Sequence, residues 1–381
     1  MAATELLNSS SPVGLNGGLL RYLNRRKVFL CSDGNTIAFY YDPTVFPVVA
    51  QQVRYRIKSG GTWGAPVTVE TSDSFSMCRN GDTFYLLGTQ DKLIVCAYSG
   101  GTVTINSYSV DISTDINMDF PYICYDSSVN RIIAICVTGD GGDPETNHTR
   151  KFLINPTNGA VLEKSSTLTA SGWGDPGNSI VTNNAGTAIY CSTDSFGLKF
   201  RRLQYSASAF TSDTSETTIT FGVGGGTICD VFWDGVHFGV VYDDSSVLKL
   251  TIRTAISTYS TETVVANLGF SGNINTRNLQ VCPRLNTTDL FVLYPSALYV
   301  SASYCDQYYI IKRNGIWETP VLVQGADGAS HGWSHTDEFV PNTGLVPYIF
   351  CKGGNTEGGN AYLYADEVRM FYPQGLLIVS D

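Results

Sequence analysis

An all-β fold built from seven four-stranded units is what this chain predicts, and three observations carry the prediction. A hairpin motif of apolar strand, turn and apolar strand recurs seven times, its turns centred on Gly34, Gly81, Val129, Gly186, Gly235, Thr287 and Gly344. Further strand-like runs follow the hairpins, and no stretch carries the 3.6-residue period of an amphipathic helix. A repeat period of roughly fifty residues marks an array of small units that bury one another. One four-stranded sheet cannot hide both of its faces, so neighbours pack face to face and the ring closes: a β-propeller, most simply of seven blades.

Each element has a local reason. In the first unit, residues 28–31 and 37–41 flank the turn Asp33-Gly34-Asn35; residues 53–57 and 67–69 follow, joined through Ser59-Gly60-Gly61. The second unit continues with 93–96, the turn Ser99-Gly100-Gly101 and 103–105, and the third with 151–154, Asn158-Gly159 and 161–162. Residues 248–252 serve the fifth unit; 308–311, Asn314-Gly315 and 321–323 serve the sixth. The seventh offers 368–371, Pro373-Gln374-Gly375 and 376–379. Asn-Gly and Asp-Gly between apolar runs signal tight hairpins because both central residues need positive φ. Residues 1–25 precede the first hairpin and are expected to form either an N-terminal arm or a ring-closing strand, with 15–20 as the candidate; residues 26–381 form the propeller. The fourth and seventh units are irregular, so six blades plus an extra sheet is the alternative.

Apolar residues make up 43% of the 381 and charged residues only 15%, so Ser, Thr, Asn, Gly and Tyr must cover the surface. The net charge of −10 disfavours a general nucleic-acid binder, which shows a basic stripe. No basic segment followed by an apolar run opens the chain, so no secretory signal is expected, and no apolar run is long enough for a membrane helix. The Asn-x-Ser/Thr triplets at Asn8, Asn147 and Asn286 are read as chance matches in an Asn/Thr-rich chain.

Cys31, Cys78, Cys124, Cys229 and Cys282 fall in or at the end of first strands, and Cys136, Cys191 and Cys351 at the end of second strands. Recurrence at equivalent places reads as buried free thiols used as small apolar side chains, in a protein made in a reducing compartment. No C-x-x-C pair is present, which excludes zinc-ribbon and thioredoxin-type chemistry. The third strands hold much of the basic charge, from Arg54 and Arg56 through Lys151, Arg201 and Lys249 to Arg313 and Arg369. The expectation is that these charges guard strand edges against association, with an anion-binding belt as the alternative.

In a four-stranded up-and-down blade, one face collects the short turns within each hairpin and the other collects the remaining connections. The long segments 138–149, 165–178, 267–277, 324–337 and 352–366 all fall on the second face, which makes it the expected binding surface. Asp140, Asp143 and Glu145 stand close together and form a weak calcium candidate without EF-hand spacing; no other cofactor is expected. His331, His335, Asp337 and Glu338 lie in what reads as a Gly/Ser loop, where His residues four apart do not converge on a metal. Trp173 with Asp175, and Trp333 with His331, His335 and Asp337, are ligand candidates: an aromatic covers the apolar face of a sugar while polar groups take its hydroxyls.

Gly60-Gly61-Thr62-Trp63 resembles half of the Asp-box hairpin of sialidase-like propellers, with Lys58 where the Asp stands and Arg56 where the Ser stands. Asn314-Gly315-Ile316-Trp317 is a looser echo. That resemblance implies a propeller fold and leaves catalysis open, since no Arg-Ile-Pro signature accompanies it. Degenerate repeats, a Gly/Ser/Thr/Asn-rich surface and free cysteines also resemble bacteriophage tail and fibre proteins. The leading expectation is therefore a non-enzymatic structural or attachment module of a virion, made in the host cytoplasm. It would dock another virion protein or a host-surface glycan through the long-loop face, as a symmetric homo-oligomer if its architecture follows other virion parts. A sialidase-like glycoside hydrolase and a peptide-binding intracellular scaffold are the alternatives.

Overall fold

The computed structural model describes residues 4–9, 27–42, 52–71, 75–88, 92–112, 118–138, 148–164, 169–170, 179–194, 197–221, 229–244, 246–255, 258–269, 279–296, 306–324, 331–353 and 361–371. Every regular element among them is a strand, and the strands form seven antiparallel sheets. Blade 1 runs from Val28–Leu30 through Thr36–Asp42 and Gln52–Ser59 to a split outer strand, Thr62–Trp63 and Val67–Thr71. Blade 2 is Phe75–Asn80, Thr83–Gly88, Lys92–Ser99 and Thr102–Ser109. Blade 3 is Met118–Asp126, Arg131–Thr138, His148–Ile154 and a split Val161–Lys164 and Thr169–Ala170. Blade 4 is Ser179–Thr182, Thr187–Asp194, Gly197–Tyr205 and Phe210–Phe221; all four strands are present, and its irregularity lies in the outer pair, whose register shifts at Leu198/Lys199, Phe200/Arg201 and Gln204/Tyr205. Blade 5 is Cys229–Trp233, Phe238–Asp244, Val247–Ala255 and Thr258–Val265. Blade 6 is Gln280–Pro283, Leu290–Ser296, Asp306–Arg313 and a split Ile316–Trp317 and Val321–Gln324.

Blade 7 departs from expectation. Its first strand is His331–Thr336, its second Leu345–Gly353 and its third Ala361–Arg369. The outermost strand comes from the other end of the chain: Thr4–Ser9 pairs antiparallel with Ala361–Arg369. Residues 368–371 therefore end the third strand instead of constituting it, while 15–20 and 376–379 lie outside the described residues. The hairpin turn is also longer than a motif on Gly344 implies, because residues 337–344 all leave the ladder.

The period-2 alternation of each inner strand explains the packing. In blade 2, Phe75 and Met77 enter the core shared with Phe29 and Phe39 of blade 1, whereas Cys78 enters the next core with Ile123 and Ile132 of blade 3. This inner strand is thus apolar on both faces, and one buried aromatic contributes on the order of 1.5–3 kcal/mol. The tilted contact of Phe29 with Phe84 and the edge-on contact of Phe39 with Phe84 knit blades 1 and 2. The eight described free cysteines are all buried in such cores.

Near the axis a polar latch repeats. A side chain on one innermost strand accepts the backbone N–H of the next: Ser76 from Ile123 (3.3 Å), Ser179 from Val231 (3.1 Å), Asp230 from Val281 (2.9 Å) and Asp337 from Leu30 (2.9 Å). These N–H groups face away from their own ladder, and burial without a partner would cost about 1–3 kcal/mol each. The last latch joins blade 7 to blade 1 and completes the ring.

The basic third strands are not edges, which corrects the edge-guarding expectation: the fourth strand covers each of them. Their cations bridge instead. Lys151 of blade 3, 1% exposed, and Arg201 of blade 4 share Asp213 on the outer strand of blade 4, and Lys312 of blade 6 meets Glu262 of blade 5. Lys58, standing where an Asp-box aspartate would, pairs instead with Glu367 of blade 7 at 3.1 Å.

Candidate functional site

The turns that follow the seven innermost strands meet around the axis on one face, the short-turn face. They enclose two confluent cavities of about 810 and 210 Å³, both walled by Arg79, Gly81, Leu285 and Phe339. All seven blades reach this cleft, from Ser32 of blade 1 and Asp82 of blade 2 to Thr182 of blade 4 and Trp233 of blade 5.

Arg79 is its central side chain. It is the penultimate residue of the innermost strand of blade 2, on the same face as Phe75 and Met77 and 5.7 Å from the Phe29 ring centre, and it is 8% exposed. Its Nη1 donates to the Leu30 carbonyl at 2.8 Å, its Nη2 lies 3.3 Å from Asp337 Oδ1, and its guanidinium packs 4.4 Å from the Phe339 ring centre. Its Nε is buried and has no partner among the described residues. One side chain therefore ties blades 1, 2 and 7 together and still holds a donor in reserve.

Arg284 guards the other side. It packs 3.8 Å from the Phe371 ring centre and pairs with Asp289 at 3.2 Å. Phe371 is held in place by the seventh turn: Gly344 has φ of 72°, and a Cβ there would meet the Phe371 carbonyl oxygen at 2.2 Å, so only glycine permits this approach. The same turn docks on blade 6 through Val340 N–H to the Pro283 carbonyl at 2.8 Å, which carries Phe339 to the mouth. Asp82 accepts from Ser32 N–H and Oγ at 3.0 and 2.5 Å. Leu285, 43% exposed, is the apolar surface open to solvent. Burial and the nearby Asp82 and Asp33 push the Cys31 thiol far above its ordinary pKa, so this wall offers no thiolate nucleophile.

The carboxylates under the cleft serve structure. Asp126 is fully buried and accepts from Ser128 N–H and Oγ, Thr182 Oγ, Gly186 N–H and Tyr205 OH. Burial alone would raise its pKa; the hydrogen bonds from Ser128, Tyr205, Gly186 and Thr182 outweigh that and hold it below the usual carboxylate range. Asp230 accepts from Ser179 Oγ at 2.7 Å as well as from Val281.

Of the residues proposed from sequence, Trp173, Asp175, Asp140, Asp143 and Glu145 lie outside the described residues. His331 and Trp333 lie on the innermost strand of blade 7 and not in a loop. His335 is fully buried on the same strand, and Asp337 is fully buried just beyond its end. A strand rises about 3.3 Å per residue, so the backbones of His331 and Asp337 stand at opposite ends of it; the strand pairs with Leu345–Gly353 through a register shift between Gly332 and Ser334. Among the described residues, no group of three or more His, Cys, Asp and Glu is placed to hold a metal. Sequence reading passed over Arg79, Arg284, Leu285 and Phe339. The signal available was positional: each stands within a few residues of a repeat turn, on the face where all seven turns converge.

No family model and no curated protein sequence matches the chain. Solved structures do. A Penicillium chrysogenum alpha-L-arabinanase in complex with arabinobiose aligns over 96% of this chain and 98% of its own, at 10% identity and a TM-score of 0.50. A Bacteroides uniformis protein assigned as a 6-phosphogluconolactonase aligns over 80% of this chain and 87% of its own, at 13% identity and a TM-score of 0.46. At these identities the likeness concerns the fold: the chain is an all-β propeller of seven four-stranded blades.

Proposed function

We propose that this propeller acts on carbohydrate and that the axial cleft of the short-turn face is where a sugar sits. The observation that carries the reading is the make-up of that cleft. Guanidinium groups backed by aromatic rings, an open apolar side chain at Leu285 and polar turn residues surround a space of about 810 Å³, the mixture a pyranose or furanose ring uses. Glycoside hydrolysis is the first form of the reading, supported by the whole-length likeness to an arabinanase; this moves it ahead of the virion attachment role expected from composition. The long-loop face, with Trp173 and Asp175, remains the second proposed location.

Recognition without cleavage is the second reading, favoured by one observation. The buried axial carboxylates Asp126, Asp230 and Asp337 all accept hydrogen bonds from neighbouring blades, whereas a general acid must hold and release a proton in reach of the glycosidic oxygen. An array of immobilised glycans, scored both for retained protein and for loss of sugar, separates the two. Sugar loss establishes the hydrolase, retention on intact sugar establishes the binding module, and the absence of both refutes the carbohydrate reading.

A further inference from the structure

Resting on the carbohydrate reading, the charge arrangement around the cleft narrows its ligand. Among the described residues, the cations that line it are Arg79 and Arg284, and each already faces a carboxylate, Asp337 and Asp289 respectively. A further carboxylate, Asp82, lines the larger cavity. Asp33, which accepts from Tyr98 OH at 2.6 Å, adds negative charge near Cys31 of the same wall. Anionic groups thus outnumber cationic ones at a partly enclosed mouth of a chain that is itself acidic. Field lines focus in such a cleft and repel an incoming anion. The one arginine that walls both cavities offers an incoming anion no uncompensated charge: Arg79 is balanced by Asp337, and its Nε is buried.

We infer that the axial cleft binds a glycan free of acid groups, laid against Leu285 and Phe339, and that it discriminates against uronic and sialic acids. The discrimination comes from carboxylates placed against anions, a use of repulsion as well as attraction to choose a ligand.

The test is titration calorimetry of the full chain with uncharged arabino-, xylo- and cello-oligosaccharides against oligogalacturonides and sialyllactose, at low and high salt. The expected result is at least about tenfold tighter binding of an uncharged oligosaccharide than of any acidic one at low salt. The gap should narrow at high salt as repulsion is screened. Leu285→Asp changes an exposed position and leaves the ring intact; it should weaken the uncharged ligand at least about tenfold. Asp82→Asn should narrow the discrimination severalfold, chiefly by tightening the acidic ligands. Equal or tighter binding of an acidic sugar overturns the inference and leaves the carbohydrate reading standing. Uncharged binding that ignores Leu285→Asp overturns the location. No binding of either class overturns the carbohydrate reading itself, and this inference with it.

Discussion

The inner and outer halves of each blade obey different rules. The first two strands are buried on both faces: in blade 6, Gln280–Pro283 and Leu290–Ser296 have no exposed residue. The outer strands alternate or open out: Thr102–Ser109 in blade 2 shows only partly buried and exposed positions, and the fourth strand is split in blades 1, 3 and 6. The difference teaches where the ring is held. Inner strands join neighbouring blades through cores and latches, so each substitution there is felt by two sheets; outer strands answer to one sheet and to water.

The largest contrast is expected from Phe39→Ala and Asp126→Ala. Phe39 is fully buried between blades 1 and 2, and its truncation should cost about 3–5 kcal/mol. Removing the Asp126 carboxylate strands buried donors from three segments and should cost about 3 kcal/mol or more. Chemical denaturation midpoints check both. The Asp126 contribution is also pH-dependent. Its folded pKa is depressed, so its stabilisation is present above the unfolded carboxylate value and is lost as pH falls through the folded one. An acid titration of stability should therefore be flatter for Asp126→Ala than for the parent.

Asp243→Asn sharpens the comparison from the opposite direction. Asp243 is buried at the end of a second strand, and desolvation raises its pKa to about 6 despite the hydrogen bond from Ser246 N–H. With the folded pKa raised, the folded state loses stability as pH climbs from the unfolded value near ~3.9 through about 6. The asparagine variant avoids that loss and still accepts from Ser246. It should be more stable by about 1–3 kcal/mol at neutral pH and indistinguishable where Asp243 is protonated in both states, read as melting temperature at the two pH values. The smallest effect belongs to the rim: Ile316→Thr, at a position 72% exposed, should change stability by no more than about 0.5 kcal/mol. A larger loss there would break the division between halves.

The blades were legible because a turn that needs positive φ leaves a local trace, as at Gly34, Gly81 and Gly186; where a turn centred on Val129 or Thr287, the left-handed residue is the adjacent Asn130 or Asn286. Blade 7 was misread for the converse reason. Its hairpin turn carries an apolar Phe339-Val340-Pro341 that looks like a strand but docks on blade 6, and its first strand contains Gly332 and Ser334, which look like a loop. The outer strand of that blade has no signal next to its partner, since pairing across nearly the whole chain is a tertiary fact. The cleft was invisible for a related reason: it takes a few residues from each of seven distant segments, and no window of sequence contains it. The third-strand cations were visible, but their purpose depends on which residue of the next blade they meet, as Lys151 does with Asp213.

The pairing of Thr4–Ser9 with Ala361–Arg369 carries a consequence for biogenesis. During translation Thr4–Ser9 waits without its mate until residues 361–369 have left the ribosome. Blades made in between can form as they emerge, each on the surface of the one before, while the pairing that completes blade 7 spans the greatest distance along the chain. A nascent chain halted before residue 331 would therefore display an open arc with two bare apolar flanks, a natural substrate for chaperones.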